Sequence, residues 1–322
     1  MRIAMFNAYQ ADRPYQQSLP SLGLGYLIAY VKKHHPSVDI VFCGTETELL
    51  ESGADVVAIS STSENFDDAC RTAQRVREAD GALLVLGGVH ITALPHRLPD
   101  VFDLGVLGEG EKTLFELTRL LESKPRPAPS DLQAIAGICY RDESGTVVRA
   151  TPRKQIRDLD TLPFPDRDAL GGDWKTPYSQ AVHLISSRGC PYKCSFCASG
   201  RLWKNYRVFS AEYVVAEIEH VLEKYDPREI HFFDDLFIAH KGRFRRFSEL
   251  IETRGLHHDT VFRTWARADM IDEEMADRLA RWISASNRVA RKSSSTWART
   301  RSRPKSTSAR STSWPSAASR SA

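Results

Sequence analysis

No stretch of this 322-residue chain approaches the roughly 18 to 20 uninterrupted apolar residues that a membrane-spanning helix needs. The opening MRIAMFNAYQADRPYQQ lacks the apolar core and small-residue cleavage site of a secretory leader, so the chain reads as a cytoplasmic protein with no membrane span. Cysteine is scarce: six residues are too few to staple a fold of this length. Three of those six fall within one octapeptide, which points to metal or redox chemistry in a reducing compartment. Acidic residues disappear altogether from Arg281 onward, where eight Arg and two Lys stand alone. Set against a whole-chain charge of +3, those ten positive charges leave the first 280 residues at −7. The basic balance belongs to the terminal segment, and nucleic acid is not an expected partner of the acidic body.

What is present reads as α/β. RIAMFNA, VDIVFC, DVVAIS, ALLVLGG and FDLGVLG are near-continuous apolar runs, and LGLGYLIAYVKK and EKTLFELTRLLE carry helical periodicity. Strands apolar on both faces must be covered on both, so residues 1–124 are expected to form an open, doubly wound parallel sheet of Rossmann-like type. In such sheets ligands lie beyond the carboxyl ends of the strands, here the turns at 7–10, 60–63, 87–92 and 108–111. The Pro- and Ser-rich SKPRPAPSDL opens a linker, residues 125–179. It holds a small hairpin turning near Ser144 and Gly145, then a proline-punctuated connector expected to lie across the surface. Three βα units follow in residues 180–281, enough to begin a barrel but not to close one.

Residues 282–322 have no apolar period and are dominated by Ser and Arg, so they are expected to be disordered. A natural basic tail is one explanation. A shifted reading frame is the other, since composition changes abruptly where another strand should begin; the nucleotide sequence around codons 280 to 290 separates the two.

The segment SSRGCPYKCSFCASG places Cys190, Cys194 and Cys197 as C-x3-C-x2-C directly after a strand. Three thiolates on one loop can hold three irons of a 4Fe-4S cluster and leave the fourth iron open to a small molecule. A closed structural zinc site wants four ligands, usually two paired motifs, and there is no second pair. The segment resembles the radical S-adenosylmethionine (SAM) superfamily, through these three cysteines and the aromatic Phe196 before the last. The resemblance implies that the open iron binds the amino and carboxylate groups of SAM, and that the reduced cluster cleaves SAM to a 5′-deoxyadenosyl radical. It also implies an external one-electron donor of flavodoxin or ferredoxin type. By the same resemblance Asp234 and Asp235, ending the second barrel strand, stand where the methionine amino group is held, although one Asp capping the next loop is the plainer alternative. Arg267 in TWARADMI matches a recurring position at a strand end, against which stands an ordinary solvated arginine.

The first unit resembles the cobalamin-binding domain that precedes many radical SAM domains, through PSLGLGYLIAYV, LGGVHITALP and LGEGEKTLFEL. Gly87 and Gly88, with Gly108 and Gly110 at the neighbouring turn, let backbone approach a large flat ligand. His90 is placed to donate a hydrogen bond there or is incidental; Glu109 and Glu111 bind ligand amides or stabilise the following helix. The D-x-H-x-x-G sequence that supplies an axial histidine to cobalt is missing, so cobalamin here is expected without a protein histidine ligand. A plain dinucleotide fold lacks its G-x-G-x-x-G after the first strand.

The resemblance implies a methyltransferase acting on an unactivated carbon of a small-molecule substrate. An enzyme of the same architecture performing a radical cyclisation or rearrangement is the alternative. Two further readings are a cluster-binding remnant without turnover, since a second half-barrel is expected and not found, and a basic-tail nucleic-acid binder.

Overall fold

The apolar runs of the first unit fold as β1 (Arg2–Asn7), β2 (Asp39–Cys43), β3 (Val56–Ser60), β4 (Leu83–Gly87) and β5 (Leu104–Val106). The computed structural model describes residues 1–10, 20–79, 81–171, 181–258 and 260–290, with side chains of the last helix to Trp282. These five strands are parallel in the order β2-β1-β3-β4-β5. Between them run α1 (Leu22–His34), α2 (Glu46–Leu50), α3 (Phe66–Ala79) and α4 (Val89–Ala93), and α5 (Glu111–Ser123) follows β5.

Alternation along each strand divides the apolar residues between two cores. Ile3, Met5, Val56 and Val85 face α1 and α5, meeting Leu24, Ile28, Leu114 and Leu117. Ala4, Phe6, Val57 and Leu84 point the other way, onto Ala69, Ala73 and Val76 of α3. Both faces are therefore covered, as strands without polar alternation require.

The hairpin does not stand apart from the sheet. After α6 (Pro129–Gln133), β6 (Ile138–Arg141) pairs antiparallel with β5, and β7 (Val147–Arg149) pairs with β6, giving seven strands. An unpaired β5 edge exposes backbone donors and acceptors, and the hairpin satisfies them. The connector after it is not superficial either. Ile156, Leu159 and Leu162 are buried in the core of the second unit together with Tyr26 of α1.

That second unit contains β8 (Ala181–Leu184), β9 (Ser187–Arg188), α7 (Ser199–Leu202), β10 (Arg207–Val208), α8 (Ala211–Tyr225), β11 (Glu229–Phe232), α9 (Lys241–Thr253), β12 (Val261–Arg263) and α10 (Glu273–Ala290). β8, β11 and β12 form a parallel sheet in the order β12-β11-β8, and β9 and β10 form a short antiparallel ribbon. α8 buries Val214, Val215, Ile218 and Val221, one face at helical spacing, and begins at Ser210, whose hydroxyl accepts from the Tyr213 amide at 3.0 Å. α10 carries on to Ala290, past the point at which periodicity was expected to stop. From residue 291 the Ser- and Arg-rich segment lies outside the described residues. Among the described residues no helix is long and apolar enough to cross a membrane.

Two buried polar groups fix the connector and β8. The connector's Arg167, 2% exposed, donates to Glu217 of α8 at 2.6 Å and to the His183 carbonyl of β8 at 2.9 Å. Burial raises the Glu217 carboxyl pKa, and the Arg167 guanidinium opposes that rise. Replacing Arg167 by Met strands a buried carboxylate and should cost roughly 3–5 kcal/mol in urea unfolding, whereas Arg167→Met with Glu217→Leu should recover most of it. Equal losses in the single and double variants would show that the ion pair is not the source.

Burial, with His231 and Arg167 nearby, lowers the His183 imidazole pKa to about 4. The unfolded chain takes up this proton near the ordinary value of about 6.5, so the contribution is fully present above that pH and fades as pH falls towards 4, by up to roughly 3 kcal/mol. His183→Leu should flatten the decline of urea stability between pH 6.5 and 4.5; an unchanged slope would remove His183 from the account.

Candidate functional site

The carboxyl ends of the first sheet meet those of the second across a cleft of about 310 Å³. Met5, Ala58, Val85 and Val106 supply an apolar floor, and Gly87, Gly88, Gly108 and Gly110 form the rim. Ile185, Arg188, Gly189, Trp203, Phe233 and Asp235 close it from the second unit. Three of the four turns expected at the ligand edge contribute to the lining; the one at 7–10 does not.

The rim glycines serve two different purposes. Gly88 has φ +96° and a Cβ there would stand 2.3 Å from the Ser61 carbonyl oxygen, so the fold itself requires glycine. Gly87 has ordinary φ, and a Cβ there would meet nothing nearer than the Ile59 oxygen at 3.9 Å. Open space above Gly87 and Gly108 is a cradle that side chains would fill, and it suits a flat ligand laid on an apolar floor.

One wall of the cleft is held by four charges. Arg188 reaches Glu109 at 3.0 Å and Glu111 at 2.6 Å, and Arg207 reaches Glu109 at 2.7 Å, with all four side chains at most 9% exposed. Glu109 also accepts from the Ile156 amide at 2.8 Å. Burial works against the charge on Arg188, yet Glu111 and Glu109 keep its pKa above the ordinary value. Both glutamates thus bind the second unit, an interaction that neither ligand amides nor helix stabilisation anticipated. Arg188 and Arg207 carried no individual signal in the sequence, because only the approach of the two units gives them partners.

The cysteine loop leaves this wall directly. Gly189 takes φ +82°, where a Cβ would lie 2.8 Å from Trp203 Cβ, and Cys190 follows, half-buried against the core. The Cys197 amide donates to the Cys194 carbonyl at 3.1 Å in a tight turn. Cys197 is exposed, and Phe196 is 91% exposed. Among the described residues no group of three His, Cys, Asp or Glu side chains is gathered closely enough to hold a single metal ion, and the three thiols share this one loop. Arg267 comes to this loop: its Nη1 lies 3.8 Å from Cys194 Sγ and its guanidinium 4.2 Å from the Tyr192 ring centre, while Asp269 pairs with it at 2.7 Å.

Asp234 and Asp235 part company. Asp234 is 3% exposed and accepts from the amides and hydroxyls of both Ser186 and Ser187, which ties the end of β11 to the turn after β8. Burial raises its pKa against the opposing pull of Arg243. Its oxygens are committed within the protein. Asp235 instead lines the cleft and accepts from the Ser199 hydroxyl at the start of α7. His90 does not line the cleft; its ring stacks on Phe66 at 3.7 Å and its Nδ1 lies 3.0 Å from Ser63 Oγ.

Residues 13–118 match the family described as B12 binding domain, and residues 184–289 match the Radical SAM superfamily. An uncharacterized methyltransferase of Pyrococcus horikoshii is 32% identical over 270 residues, covering 80% of this chain and 57% of the relative. An anaerobic magnesium-protoporphyrin IX monomethyl ester cyclase of Rubrivivax gelatinosus is 28% identical over 256 residues, covering 74% of this chain and 45% of the relative. The chain spans about half the length of these curated relatives. The fold is shared with TsrM of Kitasatospora setae, a radical SAM methyltransferase solved with tryptophan and a SAM analogue, at TM-score 0.68 and 17% identity over 87% of this chain and 57% of that one. OxsB, a cobalamin-dependent SAM radical enzyme solved with aqua-cobalamin, superposes at TM-score 0.68 and 22% identity over 88% of this chain and 42% of that one. The chain belongs to the radical SAM superfamily and carries an amino-terminal B12 binding domain.

Proposed function

We propose that this protein is a cobalamin-dependent radical SAM enzyme that transfers a methyl group to an unactivated carbon of a small molecule. The observation that carries the reading is adjacency. Gly189 lines the glycine-rimmed cleft and Cys190 is the next residue, so a cluster on the cysteine loop adjoins whatever the cleft holds.

Cys190, Cys194 and Cys197 are the ligands for a 4Fe-4S cluster, and the cradle at Gly87 and Gly108 is the seat for cobalamin, without an axial histidine. The cluster, when bound and reduced, supplies the electron that cleaves SAM. The chain's own part is placement. Asp235 is the carboxylate on the cleft wall suited to an ammonium group, held by Ser199. Arg267 sets a positive charge 3.8 Å from the Cys194 sulfur. Met5, Ala58, Val85 and Val106 keep the floor apolar and exclude water. The exposed Phe196 and Cys197 face the solvent side, from which a flavodoxin- or ferredoxin-type donor would deliver electrons.

Anaerobic reconstitution should give about four irons and four sulfides per chain, lost when the three cysteines are replaced by alanine. Incubation with methyl-labelled SAM and reductant should release 5′-deoxyadenosine and move label into product. Deoxyadenosine without label transfer would favour the cyclisation reading, which the cyclase relative supports, and absence of both would refute either chemistry. Gly87→Leu should weaken cobalamin binding about tenfold or more while the unfolding midpoint moves little, because only the cradle is filled.

A further inference from the structure

A second, larger cavity of about 810 Å³ opens beside the cleft, and the two share Gly108, Glu109 and Trp203 in their linings. Most of its walls come from residues 149–157 and 201–207, with the turn after β5 completing them. Their charge is unusual for this molecule. The first 280 residues carry −7, yet Arg149, Lys154, Arg157, Arg201 and Lys204 all line this one cavity, and among the described residues Glu109 is the single acidic one in its walls. Among the described residues none of those five forms an ion pair, whereas Arg153 is held by Glu116.

Arg207 adds an independent sign. Its side chain is only 9% exposed and Nη1 is engaged by Glu109 and by the Ile156 carbonyl, but its buried Nε and Nη2 have no hydrogen-bond partner among the described residues. Buried guanidinium donors without acceptors are costly, as is gathering five like charges around one cavity, and an anion brings acceptors and counter-charge to this wall. Ordinary solvation accounts for the exposed lysines and arginines taken singly, but not for the unpartnered donors on a buried arginine that lines the same cavity.

We infer that this basic cavity binds an anionic group of the substrate, phosphoryl or polycarboxylate and bearing at least two negative charges, and so holds the reacting carbon towards the neighbouring cleft. The assignment of the ligand as substrate rests on the enzymatic reading above; the anion site itself does not. A corrinoid's nucleotide tail carries one phosphodiester charge, far less than five unpaired cations call for. Small-molecule substrates with a phosphate, diphosphate or several carboxylates match the charge and the volume.

The test is calorimetric titration of the full-length protein with pyrophosphate, alongside Lys154→Glu/Arg157→Glu, whose positions are exposed. The basic terminal segment is common to both proteins, so their difference reports the cavity. Saturable pyrophosphate binding, weakened about tenfold or more in the double variant and steeply by added salt, is expected, with cobalamin affinity unchanged. Equal pyrophosphate binding by both proteins would overturn the site. Displacement of cobalamin by pyrophosphate, with cobinamide unaffected, would give the cavity to the nucleotide tail and overturn the substrate assignment. Loss of cobalamin binding in the parent protein would count against the functional reading alone and leave the pyrophosphate comparison valid.

Discussion

Four charges buried at the junction of the two units set the geometry of everything near the cleft. Glu109 and Glu111 stand at the start of α5, where the helix dipole already favours negative charge, and Arg188 and Arg207 come from the short ribbon of the second unit. Removing such groups from water is expensive, and the cost is offset only when each finds an opposite charge at hydrogen-bonding distance. A sliding apolar interface has many near-equivalent positions; this one has few. Because Arg188 is followed by Gly189 and Cys190, the same ion cluster that joins the units also fixes where the cysteine loop begins.

Apolar packing and polar ties divide the labour elsewhere in the same way. The two faces of the first sheet and the aromatic core around Phe232, Phe237 and Phe247 supply burial without much direction. Direction comes from single buried polar groups. Arg167 locks the connector to α8 and β8, and Asp234 locks β11 to the turn that leads to Arg188. Asp234 therefore shapes the cleft from behind, while its neighbour Asp235 faces into it. Four donors from Ser186 and Ser187 hold Asp234, whereas Asp235 reaches the cleft and Ser199, so the pair yields one structural and one cleft-facing carboxylate.

Charge is distributed with the same economy. The acidic glutamates at the junction are consumed by Arg188 and Arg207, which leaves the neighbouring cavity with cations and almost no counter-charge. Cleft and cavity thus differ in character across a wall one residue thick at Glu109: apolar and glycine-rimmed on one side, strongly basic on the other.

Much of the fold was legible along the chain because period and composition are local properties. Continuous apolar strands separated by amphipathic helices dictate a parallel sheet covered on both faces, and the spacing of three cysteines within one loop is equally local. The edge where the cleft lies followed from the same logic, since parallel strands end together. Only the tertiary structure decided what depends on residues distant in sequence. It paired the hairpin with β5, buried the connector, turned Asp234 inward and Asp235 outward, kept His90 off the cleft, and gave Glu109 and Glu111 arginines about 80 to 100 residues away as partners. Local sequence determines which faces must be buried, but a charged side chain takes its role from whichever opposite charge the packing of separate elements brings to it.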